Sequence, residues 1–164
     1  HSDEPVTFEG KYFQLRGATL LPRPARPGGP RILIGGNGEK LTLPLAAKYA
    51  DEWNALFLLP REFTRLNTRL DEMLAANGRL PSSVRRSMMT GLRFGRTKKE
   101  LDGILAAGNQ TAEDLRRKGL IVGAGEEVKR QLAELEKAGL QRVMLQWLEL
   151  DDLAGLEALA KAVL

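Results

Sequence analysis

The sequence has no cysteine, a single histidine at its first position, few aromatics and no long apolar run. Each absence removes a class of chemistry. Without cysteine there is no disulfide framework, no thiolate nucleophile and no zinc site of the cysteine type. With His1 as the only imidazole, neither a Ser-His-Asp nor a Cys-His constellation assembles from within the chain, and a histidine metal site is equally excluded. Aromatics make up 5% of the residues, so the core must be built from Leu, Ala, Val and Ile. Apolar runs such as Ala55 to Leu59 are far too short to span a bilayer, and no signal-peptide pattern opens the chain; the expectation is a cytoplasmic protein. The acid pairs Asp51-Glu52, Glu126-Glu127 and Asp151-Asp152 are adjacent in sequence, so their members point in different directions, and they read as helix N-terminal charges. Any reaction must therefore lean on a bound cofactor or on residues outside this chain.

What is present fits one domain with a real core: 164 residues, 43% hydrophobic and 28% charged. The formal charge of +4 is spread over dipeptides such as Arg85-Arg86, Lys98-Lys99 and Arg116-Arg117 with acids between them. That is the pattern of solvated helix surfaces, because a nucleic-acid face wants clustered cations interleaved with aromatics. The chain opens His1-Ser2-Asp3-Glu4-Pro5 without Met, so either preceding residues were removed or this is a piece of something longer.

Residues 6–15 alternate around Glu9-Gly10 as in a small β-hairpin, and the proline-rich stretch 21–30 can only be an extended connector. The chain thus divides into a hairpin and connector over 1–30 and a regular part over 31–164. In the latter, Arg31 to Gly35 reads as a buried strand, followed by helical sequence to Tyr49. A second strand runs near Trp53 to Leu58. The helix from about Arg61 to Ala76 puts Phe63, Leu66, Leu70 and Met73 on one face and stops at Asn77-Gly78. A third strand begins at Arg86, with charged helical sequence from about Lys98 to Lys118 and a further helix from about Glu126 to Ala138, which carries Val128, Leu132 and Leu135 inward and stops at Gly139. Residues 142–148 read as a fourth strand, and Asp151 or Asp152 caps a last helix with Leu153, Leu156, Leu159 and Val163 on one stripe. Alternation of this kind implies parallel strands with covering helices. Four units are half of a closed barrel and would leave two open edges and an apolar inner face without a partner; an open doubly wound sheet is the alternative.

The stretch Gly35-Gly36-Asn37-Gly38-Glu39 joins the first strand of the regular part to its helix. It is neither a dinucleotide fingerprint, whose third glycine would fall at Leu41, nor a Walker loop. Glycines between a strand end and a helix start let backbone N–H groups converge on one point, where an anion such as phosphate is the expected guest; a tight turn needing positive φ is the competing explanation. Lys40 and Thr42 add a cation and a hydroxyl, while Pro44 is harmless only if the helix begins near Thr42. The second glycine stretch, "VGAGEEV" from Val122, has Glu126 and Glu127 in the first helical turn, so it reads as a loop and cap with its dipole already answered.

The segments "TFEGKYFQL", "ARPGGPRILIGGNGEKLTL", "AAKYADEWNA", "GLIVGAGEEV" and "GLQRVMLQWLELDDLAGLEALAKAVL", in this order, resemble the C-terminal half of the bacterial-luciferase-like flavin monooxygenase superfamily, in particular its branch of probable oxidoreductases dependent on coenzyme F-420, a deazaflavin. The resemblance implies an eight-stranded (β/α) TIM barrel in which these four parallel βα units are strands five to eight. It implies that the loop after the fifth strand, with Gly35, Gly36, Asn37, Gly38, Glu39 and Thr42, holds the phosphate of F-420 or FMN, and that Trp53 and Asn54 line the cofactor or substrate end. Gln146 and Trp147 would end the eighth strand, facing the same mouth or, for Trp147, packing. The implied activity is hydride transfer or flavin monooxygenation of an organic substrate. The implied partners are the cofactor, the substrate and either the missing first half or a second copy, with no nucleic acid and no membrane. A catalytically silent half-barrel that self-associates through its open edges is the other possibility.

Overall fold

The computed structural model describes residues 4–164. They fall into two units, His1–Arg31 and Ile32–Leu164. In the first, β1 (Val6–Glu9) pairs antiparallel with β2 (Gln14–Ala18), with an irregularity between Val6 and Phe8. The connection is longer than the Glu9-Gly10 turn expected from the sequence: residues 10–13 form it, closed by the Gly10 N–H donating to the Phe13 carbonyl at 2.9 Å.

The second unit is a parallel α/β structure. Its strands β3 (Leu33–Gly35), β4 (Glu52–Leu56), β5 (Arg85–Phe94) and β7 (Arg142–Gln146) lie side by side in that order, all parallel. A short strand β6 (Ile121–Gly123) pairs with the far end of β5, Leu92 to Phe94. This corrects the loop expected at Val122: three residues are too few to show a period, and β6 exists because ten-residue β5 outruns β4 and leaves backbone groups to be paired. The handover falls at Phe57, whose N–H still reaches the Met89 carbonyl at 3.1 Å before the chain turns away.

The helices are α1 (Thr42–Tyr49), α2 (Pro60–Ala76), α3 (Lys98–Ala107), α4 (Ala112–Arg117), α5 (Gly125–Lys137) and α6 (Leu153–Val163). The single charged helix expected over 98–118 is two, because Gly108 and Asn109 end the first and Thr111 caps the second, accepting from the Asp114 N–H at 3.1 Å. In α2, Phe63, Leu66, Leu70 and Leu74 recur every three or four residues and are all buried, each contributing roughly 1.5–3 kcal/mol. Pro60 opens that helix and Gly78, at φ +68°, closes it. Gly139 does the same after α5 at φ +99°. Asp152 caps α6 through the Gly155 N–H at 2.8 Å, but the stripe expected along that helix is broken: Leu159 is buried, whereas Leu153 and Leu156 are 68% and 42% exposed.

One core cluster joins Leu43, Ala46 and Ala47 of α1, the four α2 residues, Val128 and Leu135 of α5 and Leu159 of α6 to Trp53, Ala55, Met88 and Leu92 of the sheet. These helices therefore share one face of the sheet, whereas a doubly wound sheet divides its helices between both faces. Arg86 also points to the helix side, where it pairs with Asp71, takes the Asn67 Oδ1 at 2.8 Å and donates to the Pro81 and Val84 carbonyls. Burial pushes this guanidinium below its ordinary pKa, and Asp71 opposes the shift. The opposite face is set by strand alternation and side-chain bonds: Glu52 takes Arg85 and Arg142, and Asn54 donates to Ser87 and Met144. It corrects the apolar inner face expected from the sequence, being polar along much of its length.

Candidate functional site: a bare turn at the end of β3

In a parallel sheet, ligands gather beyond the C-terminal ends of the strands. The turn after β3 occupies that position. Gly35 ends the strand opposite Asn54, and the Gly36 N–H makes the last sheet bond, to the Asn54 carbonyl at 2.9 Å. Gly36 has φ +126°, which a side chain resists, and a Cβ there would lie 3.2 Å from the Thr42 Oγ1. At Gly38 the same hydroxyl would be 3.1 Å away. Gly35 has no such requirement, since the nearest atom to its Cβ would be at 3.8 Å. Gly36 is thus required by its backbone conformation, and Gly38 approaches the same hydroxyl tightly.

The turn is held from behind. Asn37 Nδ2 donates to the Leu56 carbonyl at 2.8 Å, and its Oδ1 accepts from the Leu56 N–H at 2.9 Å, so the side chain imitates a strand and locks the turn to the end of β4. Trp53, with no exposed surface, donates its indole N–H to the Gly36 carbonyl at 2.8 Å and stacks on Phe63 at 5.5 Å. The amides of residues 37–41 have no acceptor among the described residues. Helix α1 starts at Thr42, with Leu41 as its cap residue, no side-chain cap bond and no acid in its first turn. Pro44 accordingly falls in the first turn, where its missing N–H removes no intrahelical bond. Glu39, the acid within the turn, is engaged by Arg65 of α2 at 2.6 Å.

The donor set suits a phosphate: unpaired amides, the hydroxyl of Thr42, the exposed ammonium of Lys40 and the positive end of an eight-residue helix. The structure brings Gly35, Gly36, Asn37, Gly38, Glu39 and Thr42 together. It sets Trp53 behind them as a brace, and it places Asn54, 6% exposed, on the inner face at 2.9 Å from the Ser87 Oγ. At the opposite edge of the sheet, at the C-terminal end of β7, Gln146 and Trp147 separate. Gln146 turns to the inner face, its Nε2 at 3.5 Å from the Met89 Sδ, while Trp147 packs near Phe94 and donates to the Glu149 carbonyl at 2.8 Å. A cavity of about 40 Å³ lies there, beside Arg93, Arg96 and Asp152, with room for a few water molecules. Arg96 pairs with Glu100 and holds that carboxyl below its usual range, chiefly by hydrogen bonding.

Two residues at the main turn escaped sequence reasoning. Arg65 carries no local signal, since its partner lies in a different βα unit. Phe57 is a non-glycine residue at φ +51°, 37% exposed, directly after the Asn37–Leu56 clamp. Nothing in "NALFLLP" marks it. No group of three or more His, Cys, Asp or Glu side chains able to hold a metal occurs among the described residues, and no helix among them is long and apolar enough to cross a membrane.

A family model described as luciferase-like monooxygenase matches residues 1–102. The chain belongs to that family. Solved structures extend the likeness in fold. The coenzyme F-420-dependent tetrahydromethanopterin reductase of Methanopyrus kandleri superposes with a TM-score of 0.76 at 17% identity, over 98% of this chain and 58% of that one. An F-420-dependent secondary alcohol dehydrogenase gives 0.69 at 20% identity, over 88% and 50%. A riboflavin lyase in complex with modified FMN and riboflavin gives 0.66 at 16%, over 87% and 44%. The chain thus spans about half the length of the solved family-type structures it matches. No curated protein sequence matches it.

Proposed function

We propose that this chain is the C-terminal half of a (β/α)8 barrel, with β3, β4, β5 and β7 as its fifth to eighth strands, and that the complete protein is an oxidoreductase dependent on coenzyme F-420 or FMN. Helices on one face of a parallel sheet, and a chain length about half that of its structural neighbours, support the half-barrel reading. The functional part rests on one observation: a braced turn at the C-terminal end of β3 whose residues 37–41 have amides without an acceptor among the described residues.

On this reading the amides of Asn37, Gly38 and Glu39 and the Thr42 hydroxyl meet the cofactor phosphate, with Gly35 and Gly36 letting the backbone approach. Asn37, Trp53 and Asn54 position the turn and the strand behind it. The bound deazaflavin or flavin supplies hydride transfer, or hydroxylation with oxygen when it is a reduced flavin, acting on an organic substrate. This chain's contribution is to anchor and orient the cofactor's anionic tail and to exclude water behind it.

Fluorescence titration of the chain with FMN and with F-420, each repeated in the presence of inorganic phosphate, tests this. Saturable binding that phosphate competes away, and that Gly36→Ala weakens several-fold, is expected. Absence of saturable binding for both cofactors, or binding indifferent to phosphate, removes the assignment of the turn.

A further inference from the structure

We propose that the inner face of the sheet is made to be covered by a second βα half that carries surplus carboxylates at its base, and not by a second copy of this chain. The inference deepens the half-barrel reading and rests on it. Glu52, Arg85 and Arg142 are the first residues of β4, β5 and β7, so they form the base of the inner face. One carboxylate, with its side chain 8% exposed, serves both cations: Arg142 Nη1 lies 3.3 Å and Arg85 Nη1 3.9 Å from the Glu52 Oε2. The two guanidinium side chains are 47% and 39% exposed, and a positive charge is left over. Further along β5 on the same face, Arg93 donates to the Leu92 carbonyl at 2.9 Å and forms no ion pair among the described residues, although Glu100, Glu149 and Asp152 line the cavity beside it. The remaining strand residues of this face, including Leu33, Asn54, Leu56, Ser87, Met89, Met144 and Gln146, are uncharged.

Closing the barrel takes this face out of water, where an uncompensated cation is strongly disfavoured. The edges invite closure, because among the described residues β3 pairs only with β4 and β7 only with β5. Two copies around a two-fold axis satisfy those edges, since β3 of each can lie parallel to β7 of the other. That arrangement doubles the arginine surplus instead of cancelling it. An occupant whose inner base presents carboxylates to Arg85 and Arg142 satisfies both edges and charge.

The test uses the chain itself as the probe. Wild-type chain, an Arg85→Glu/Arg142→Glu chain and their equimolar mixture are compared by sedimentation equilibrium at low salt. The expected result is a heterodimer at least tenfold tighter than either homodimer, with an advantage that shrinks as salt is raised. Because the double substitution crowds three carboxylates at one base, Arg93→Glu, remote from Glu52, is mixed with wild type in parallel and is expected to show the same preference. A wild-type homodimer as tight as the mixtures overturns the charge argument and leaves the half-barrel reading intact. Failure of every mixture to associate overturns the proposal and leaves the half-barrel reading, which requires no self-association, standing.

Discussion

Two of the glycine-bearing turns that join a parallel strand to a helix, those after β3 and β6, solve the same electrostatic problem in opposite ways. After β6, the protein answers its own helix. Glu127 of α5 accepts from the Ala124 N–H at 3.3 Å, Gln131 takes both the N–H and the carbonyl of Val122, and a Cβ on Gly123 would sit 2.6 Å from that of Glu127. After β3, no acid enters the first turn of α1, and the support comes from beneath, through Asn37 and Trp53. One turn is complete in itself. The other is rigid but unfinished, and that combination, more than glycine content, distinguishes a binding turn from a structural one.

Breaking the brace should have the largest effect. Trp53→Ala removes a fully buried side chain, its stack on Phe63 and its bond to Gly36, at a cost of about 3–5 kcal/mol. Urea unfolding should show it as a lower midpoint, and the mutant should lose phosphate-competed cofactor binding even where it remains folded. Asn37→Ala is the sharper probe, because it leaves two backbone groups of Leu56 without partners while sparing the core, costing roughly 1–3 kcal/mol. Cofactor affinity should fall by more than the change in unfolding free energy alone explains, since the amides lose their alignment. An unchanged affinity in this variant would erase the contrast between the two turns. The smallest effect is expected at the other turn. Glu127→Gln weakens a charge–dipole interaction worth about 0.3–1 kcal/mol and should leave cofactor titrations unaltered.

Those same two turns show what was readable in the sequence and what was not. The acids after Gly125 announced a self-capped helix start, and the glycines after Leu33 announced a close approach, because both are local signals. The long leucine-spaced helices were legible for the same reason. What escaped depends on distant partners. The Asn37 clamp needs Leu56, the Glu39 pair needs Arg65, and β6 exists only because β5 extends past β4. The charge on the inner face was hidden by a question of parity. In "RRSMM" one arginine must face the helices and the other the inner face, and only the position of Asp71 and Glu52 decides which. Leu153 and Leu156 follow a helical period yet stay exposed, a reminder that periodicity identifies a stripe but not its cover.

Helix α1 has eight residues, well below the ~12–15 at which isolated helices begin to persist in water. Its far end is gathered by Arg79, which donates to the carbonyls of Ala47 at 3.1 Å and Ala50 at 2.7 Å. A guanidinium sitting after α2 therefore underwrites the geometry of a turn on the opposite end of another helix. Variation at that position should register as altered ligand affinity although no ligand would ever touch it.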